Sequence, residues 1–141
     1  MDQHERISAL AGEVRAAVAA DQEDVARANL DRLLAILEPH VVWEESGLFQ
    51  AVHRQGDFAA HVEDLEAEHT GLYAALAAAD DDDRGWGAAV TAMLDELDRH
   101  IYRENFGLFP GAISVLNAED WDAIDAAKPA ALSTAIPAAP I

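Results

Sequence analysis

The sequence predicts an all-α protein, an up-down-up-down four-helix bundle followed by a short C-terminal helix and a tail. Alanine, the best helix former, is abundant, and apolar residues recur at the three- and four-residue spacing of a single helix face. No stretch alternates apolar and polar residues as a half-buried strand would. The chain has 141 residues, 51% of them hydrophobic, so one domain can bury a core of its own. We expect the bundle to occupy residues 1–126 and an Ala/Pro-rich tail to occupy residues 127–141.

The first half of the chain contains two amphipathic segments. One runs from about Asp2 to Ala20, and a polar turn at Asp21 separates it from the next, which runs from about Gln22 to His53. Pro39 lies inside the second segment and predicts a kink just before His40.

The second half repeats this arrangement. Gly56 and Asp57 introduce a third segment from about Phe58 to Ala79, which ends in the acidic run Asp80 to Asp83. A fourth segment spans about Trp86 to Phe109, and Pro110 with Gly111 predicts its end. Asn117 is predicted to cap a short helix through Trp121 and Ile124, and residues 128–141 are predicted to be disordered or loosely packed.

Composition excludes several classes of function. The formal charge of −18 repels nucleic acid and anionic lipid surfaces. Because the chain has no cysteine, a metal would have to be held by His, Asp, Glu or Tyr. The N-terminus lacks the pattern of a signal peptide and no apolar run approaches the roughly 20 residues that cross a bilayer, so a cytoplasmic protein is expected.

A repeat with an offset of 60 residues links the second and fourth helices. It aligns Leu30, Leu33, Leu34, Leu37, His40, Val41, Glu44, Gly47, Leu48 and Phe49 with Val90, Met93, Leu94, Leu97, His100, Ile101, Glu104, Gly107, Leu108 and Phe109. In each copy the His and the Glu are four residues apart, about 40° around the helix, on the apolar face. A buried carboxylate needs a cation or a proton, so both copies predict a charged centre in the core.

Two further histidines, His4 and His69, lie on the apolar stripes of the first and third helices. Counting residues from each turn places them at nearly the height of the histidines of the repeat, within about 3 to 5 Å. Four imidazoles and two carboxylates suit two iron ions better than one zinc, because a zinc site needs only four ligands and two carboxylates can bridge a metal pair. The predicted metal ligands are His4, His40, Glu44, His69, His100 and Glu104.

These residues resemble the hemerythrin-like HHE cation-binding domains. The resemblance rests on a histidine in the first helix, H-x-x-x-E-E-x-x-L-F from His40 to Phe49, the Glu68–His69 pair, and H-x-x-x-E-x-x-x-L-F-P from His100 to Pro110, and it covers about residues 2–126. It implies two non-haem iron ions with an oxo or hydroxo bridge, manganese remaining open, with the four histidines as terminal ligands and the two glutamates as bridges.

Oxygen-carrying hemerythrins differ at two positions. They have a fifth histidine four residues before the third-helix ligand, where this chain has Leu65, and an Asp in place of the final Glu. With one imidazole fewer, more coordination positions are open to solvent, peroxide or NO. We therefore expect dioxygen, peroxide or NO to be bound, sensed or detoxified, with catalase-like turnover as one possibility and reversible oxygen storage as the alternative.

Other polar and aromatic residues receive lesser roles. Tyr73 is predicted to pack in the core, with metal binding as the alternative; His61 is predicted at the bundle edge and His53 at a helix end, where it complements the dipole. Glu45 points about 100° away from Glu44. It is predicted to be exposed to solvent or to contact a metal-binding side chain without binding the metal itself. Core or packing positions are predicted for the aromatic residues Trp43, Phe49, Phe106 and Phe109.

Two other classes of function compete with this hypothesis. Ferritin-like di-iron oxidases need Glu-x-x-His on two helices, and here Glu66 to His69 is the one match. The other class is a metal-free or metal-storing interaction module whose acidic surface binds a basic partner.

Overall fold

The structure, a computed structural model, describes residues 2–56, 58–81 and 84–128. Over these ranges the chain forms five continuous helices and no strand. Helix α1 is Asp2–Ala19 and α3 is Ala59–Asp80; α5, the short C-terminal helix, is Ala118–Ala126. Asp57, Asp82, Asp83 and most of the predicted tail lie outside the described residues.

The second and fourth helices each contain a π-helical turn. Helix α2 comprises the α-helical segment Glu23–Trp43, the π-helical turn Glu44–Leu48 and the α-helical segment Phe49–Gln55. Helix α4 comprises Trp86–Arg103, the π-helical turn Glu104–Leu108 and Phe109–Val115. The two π-helical turns are related by the 60-residue repeat, and each begins at the glutamate of its copy.

The four long helices form the predicted up-down-up-down bundle. Helix α1 packs along α2 and α4, and α3 packs along α4 and the C-terminal segment of α2. Short connections join successive helices, so neighbours run antiparallel. The all-α fold class is therefore confirmed. Within the described residues, no helix is both long and apolar enough to cross a membrane.

Two apolar clusters lie on either side of a polar layer. The larger one includes Ile7, Leu37 and Leu97, and the smaller one includes Phe49 and Leu108. Along α2 and α4 the members of the larger cluster precede the glutamates and those of the smaller cluster follow them. The bundle core is thus interrupted at one level, and the interruption consists of histidine and glutamate.

Helix α5 begins where the capping signal predicts it, and it packs on the smaller cluster. The Asn117 side chain accepts a hydrogen bond of 2.9 Å from the Asp120 backbone N–H, and the Asp120 carboxylate accepts one of 3.0 Å from the Asn117 N–H. This capping box satisfies two backbone donors at the helix start. Ile124 is buried in the smaller cluster, and the Trp43 indole N–H donates to the Ile124 carbonyl at 2.8 Å.

Two local expectations are wrong. Helix α4 does not end at Phe109 but continues to Val115, because Pro110 lies in the first turn after the π-helical turn, a position at which a helix tolerates proline. Phe106 is not a packing residue of the core: it is 70% exposed and contacts the Tyr102 ring, with centroids 4.7 Å apart. Phe106 follows the buried Glu104 by two residues, about 200° around the helix, and so lies on the outer face of α4.

Candidate metal centre

All six predicted ligands lie in the polar layer. His4 comes from α1, His69 from α3, and each copy of the repeat supplies one histidine and one glutamate from α2 and α4. Each of the six residues is at most 4% exposed, and Glu44 is fully buried. Acidic and imidazole side chains at this depth need mutual compensation, because an unpaired buried charge is costly.

The four histidines form two pairs. The Nε2 atoms of His4 and His40 lie 3.1 Å apart, and those of His69 and His100 lie 2.9 Å apart. Two nitrogens bound at right angles to one ion, at a metal–nitrogen distance of about 2.1 Å, would lie about 3.0 Å apart. Each pair therefore has the spacing of two ligands of a single ion.

The two glutamates connect the two histidine pairs. Glu44 places Oε2 3.0 Å from His40 Nε2 and Oε1 3.4 Å from His69 Nε2. Glu104 places Oε1 3.1 Å from His4 Nε2 and Oε2 3.3 Å from His100 Nε2. Each carboxylate thus presents one oxygen to each pair, which is the arrangement of a bridging ligand between two ions.

Each histidine is oriented by a partner on a neighbouring helix. The Gln3 side-chain oxygen accepts from His40 Nδ1, and the Asn105 side-chain oxygen lies 2.9 Å from His4 Nδ1. The remaining two partners are carboxylates. Glu45 accepts from His69 Nδ1 and Glu68 accepts from His100 Nδ1, both at 2.9 Å.

The partners fix which nitrogen of each ring carries a proton. A carboxylate only accepts hydrogen bonds, so the Nδ1 atoms of His69 and His100 are donors, and in the neutral rings both Nε2 atoms carry a lone pair. Two lone pairs 2.9 Å apart repel each other unless a positive charge lies between them. In addition, both Glu44 carboxylate oxygens and Glu104 Oε2 are buried and have no hydrogen-bond partner among the described residues. This donor set fits a pair of cations.

In the metal-free protein, protonated histidines compensate the negative charges of the buried carboxylates. Burial lowers the pKa of His4, but its contacts with the Glu104 and Glu44 carboxylates outweigh burial and raise the pKa to about 10. The pKa of His69 is also raised, against the effect of burial, by Glu44 and Glu45. Burial raises the pKa of Glu44, yet the neighbouring imidazoles hold it well below its usual value. The cluster therefore holds protons where cations would bind.

The space at the centre is small. The six residues line a cavity of about 10 Å³ together with the apolar side chains of Ile7, Leu37, Val41, Leu97 and Ile101. A cavity of this size has room for about one small species. The centre thus suits ions and other species of very few atoms.

The remaining histidines lie away from the centre. His53 is in the last turn of α2, is exposed, and lies 3.9 Å from Glu63. His61 is half-buried at the edge of the bundle, where a Cβ added to Gly107 would lie 3.2 Å from its Nε2. Tyr73 is half-buried and packs against the larger apolar cluster.

Two further positions bear on the competing hypotheses. Leu65 is fully buried in the smaller apolar cluster, one turn before His69. Glu66, the glutamate of the ferritin-like spacing, lines a separate surface cavity with His53 and Arg54. It therefore contributes nothing to the polar layer.

Sequence reasoning did not identify three of the four orienting partners. Gln3, Glu68 and Asn105 each stand next to a predicted ligand in the chain, as Glu45 does, and each orients a histidine of another helix. The available signal was a polar residue with a side-chain oxygen beside each of His4, Glu44, His69 and Glu104. The π-helical turns were also missed, although Gly47 and Gly107 recur at equivalent positions inside two otherwise helical segments.

The fold and the buried cluster are those of a cation-binding four-helix-bundle protein. The family model described as hemerythrin HHE cation binding domain matches residues 1–112. The chain therefore belongs to the hemerythrin HHE cation-binding domain family and is a metal-binding hemerythrin-like protein. Helix α5 follows the matched residues. No curated protein and no solved structure matches the chain significantly.

Proposed function

We propose that this chain is a non-haem di-iron protein that binds, senses or detoxifies dioxygen, peroxide or NO. The proposed ligands are His4, His40, His69 and His100, with Glu44 and Glu104 shared between the two ions. The observation that carries the proposal is the placement of one oxygen of each carboxylate at each histidine pair. Iron is preferred because imidazole and carboxylate ligands suit both of its common oxidation states, and the two ions would share an oxo or hydroxo bridge.

The lining of the centre supports a small ligand. Apolar side chains of Ile7, Leu37, Val41, Leu97 and Ile101 surround the six predicted ligands, and such surroundings suit a diatomic molecule or peroxide at the metal. The position at which oxygen-carrying hemerythrins have a further histidine is occupied by buried Leu65, which has no donor atom. Under this proposal each ion has two histidines and two shared carboxylates, and positions remain for an exchangeable ligand.

The first experiment is metal quantification combined with an optical spectrum. Protein expressed with ample iron should contain two irons per chain and show oxo-to-iron charge-transfer bands in the near ultraviolet. His69→Ala should lose iron, whereas His53→Ala is the matched control because His53 lies outside the polar layer and is exposed. Protein that contains no iron, or one iron per chain, would overturn the proposal and favour the interaction module.

Peroxide disproportionation is the activity to assay first. In this reaction two molecules of hydrogen peroxide give two of water and one of dioxygen, so no further reductant is required. Dioxygen release measured with an oxygen electrode should depend on bound iron and should be lost in His69→Ala. If instead the diferrous protein takes up dioxygen, keeps it for hours and releases it on degassing, the protein is an oxygen store or carrier.

A further inference from the structure

The two proposed metal positions have identical sets of direct ligands. One position is formed by His4 and His40 and the other by His69 and His100, and both share Glu44 and Glu104. Any difference between the two ions must therefore come from groups outside this set.

The groups outside the set differ in charge. At the His4 and His40 position the Nδ1 atoms are paired with the neutral amides of Asn105 and Gln3. The equivalent partners at the His69 and His100 position are the carboxylates of Glu45 and Glu68.

The four partners form two pairs of equivalent positions. Glu45 and Asn105 occupy equivalent positions, each immediately after the shared glutamate of its copy. Gln3 and Glu68 likewise each precede the histidine of their own helix. The bundle thus has an approximate two-fold arrangement of contacts, which is broken by an amide on one side and a carboxylate on the other.

A carboxylate partner changes the ion that its histidine binds. A carboxylate that accepts the imidazole N–H makes the opposite ring nitrogen a stronger donor, and its charge attracts the cation. Arg103 contacts Glu68 and offsets part of that charge, and Glu45 is 38% exposed, so solvent screens part of its charge. Arg103 neutralises at most one of the two carboxylates. The partners of His69 and His100 therefore keep a negative charge, whereas the amide partners of His4 and His40 are uncharged.

We propose that the two metal positions are inequivalent, and that the position of His69 and His100 binds a divalent cation first and holds the more oxidised iron. The proposal rests on the ligand set of the proposed function. It assigns Glu45 and Glu68 as positioning residues that act on the metal through the imidazoles.

Cobalt(II) is the probe, because its visible absorption reports coordination and it binds nitrogen and oxygen ligands somewhat more tightly than iron(II). Metal-free protein titrated without oxygen should bind two cobalt ions in two resolved steps. Glu45→Gln and Glu68→Gln should each weaken the tighter step by about tenfold to a hundredfold and leave the weaker step unchanged. Asn105→Asp should strengthen the weaker step.

Glu63→Gln is the matched control, because it removes one negative charge from the same helix as Glu68 but at an exposed position. It should leave both steps unchanged. Two indistinguishable steps in the native protein, or a weakened second step in Glu68→Gln, would overturn the inference and leave the proposed function intact. Binding of fewer than two cobalt ions would overturn both.

Stepwise reduction of the iron-loaded protein gives an independent readout. The first electron should enter at the His4 and His40 position, and the mixed-valence form should show a localised ferric ion by Mössbauer spectroscopy. Glu68→Gln should raise the potential of the second reduction step more than that of the first. A delocalised mixed-valence form, or equal shifts of both steps, would contradict the assignment.

Discussion

The Nε2 atoms of His69 and His100 lie 2.9 Å apart, although the Nδ1 atom of each ring is paired with a carboxylate. Two rings held in this way turn their lone pairs towards one point. The Nε2 atoms of His4 and His40 are similarly close, at 3.1 Å, and the Nδ1 atoms of these two rings are paired with amide oxygens. The cluster is thus arranged for cations before any cation is bound, since the outer partners already determine the orientation of each ring.

Removal of a histidine from the repeat should remove metal and stability together. His40→Ala removes the imidazole nearest to buried Glu44, at 3.0 Å, and His100→Ala removes an imidazole 3.3 Å from buried Glu104. Breaking a buried ionic contact on one side costs about 3 to 5 kcal/mol, so we expect a loss of that order in the free energy of unfolding. Iron content and urea denaturation would test this, and unchanged iron in both variants would refute the ligand assignment.

An imidazole at position 65 should close an exchangeable position. Leu65 lies four residues before His69, so the two side chains point in nearly the same direction, about 40° apart around α3. Leu65→His should weaken azide binding to the ferric protein by about tenfold or more, because azide would have to compete with the new ligand.

Leu65→Met is the control for this variant, since it keeps an apolar side chain of similar volume in the smaller cluster. It should bind azide as the native protein does. Equal azide affinity in Leu65→His and Leu65→Met, with iron retained in both, would show that position 65 does not face an exchangeable site.

The metal-free protein should lose stability as the pH rises. Burial lowers the pKa of His4, but its carboxylate contacts outweigh burial and raise it from 6.5 to about 10, so the folded chain holds this proton more tightly than the unfolded chain. The resulting stabilisation is complete below about pH 6.5 and disappears as the pH passes about 10. Denaturant midpoints of chelator-treated protein at pH 6.5, 8 and 10 should fall in that order.

The same proton opposes metal binding. A cation must displace it from His4, so metal affinity should increase between pH 6.5 and pH 10 and binding should release protons. Calorimetry in buffers of different ionisation enthalpy measures this release. For the stability prediction, His4→Gln should reduce the change of the denaturant midpoint with pH in the metal-free protein. A denaturant midpoint that rises with pH in the native chain would contradict that prediction.

Gly111, in the last segment of α4, lies against the Phe58 ring. A Cβ at Gly111 would lie 2.8 Å from the Phe58 ring, which leaves no room for a methyl group. Gly111→Ala should destabilise the bundle by about 1 to 3 kcal/mol through overpacking.

Gly12→Ala in α1 is the matched substitution, because a Cβ there meets nothing within 4 Å. It should stabilise the protein by about 0.5 to 1 kcal/mol through helix propensity alone. Thermal and urea unfolding of the two variants would separate crowding from propensity, and a gain in stability for Gly111→Ala would contradict the close packing of Phe58.

The sequence by itself determined the helices and the composition of the polar layer. Apolar spacing predicts the four long helices, and a histidine and a glutamate one turn apart must share a face in any helix. The same spacing occurs in both copies of the repeat. The pairing of His40 with Glu44 and of His100 with Glu104 could therefore be predicted without knowing how the helices pack. Asn117 likewise signalled α5 through a capping pattern that lies within four residues.

Only the tertiary structure decided how the rings are oriented and where α4 ends. The partner of His4 is Asn105 and that of His40 is Gln3, each on another helix. The periodicity of one helix does not determine how the neighbouring helix is rotated about its own axis. A π-helical turn inserts an extra residue into the helix, and Pro110 lies in the first turn of the α-helical segment that follows it, so α4 continues past Pro110. The difference between an amide and a carboxylate at each histidine therefore becomes visible only after the helices have packed.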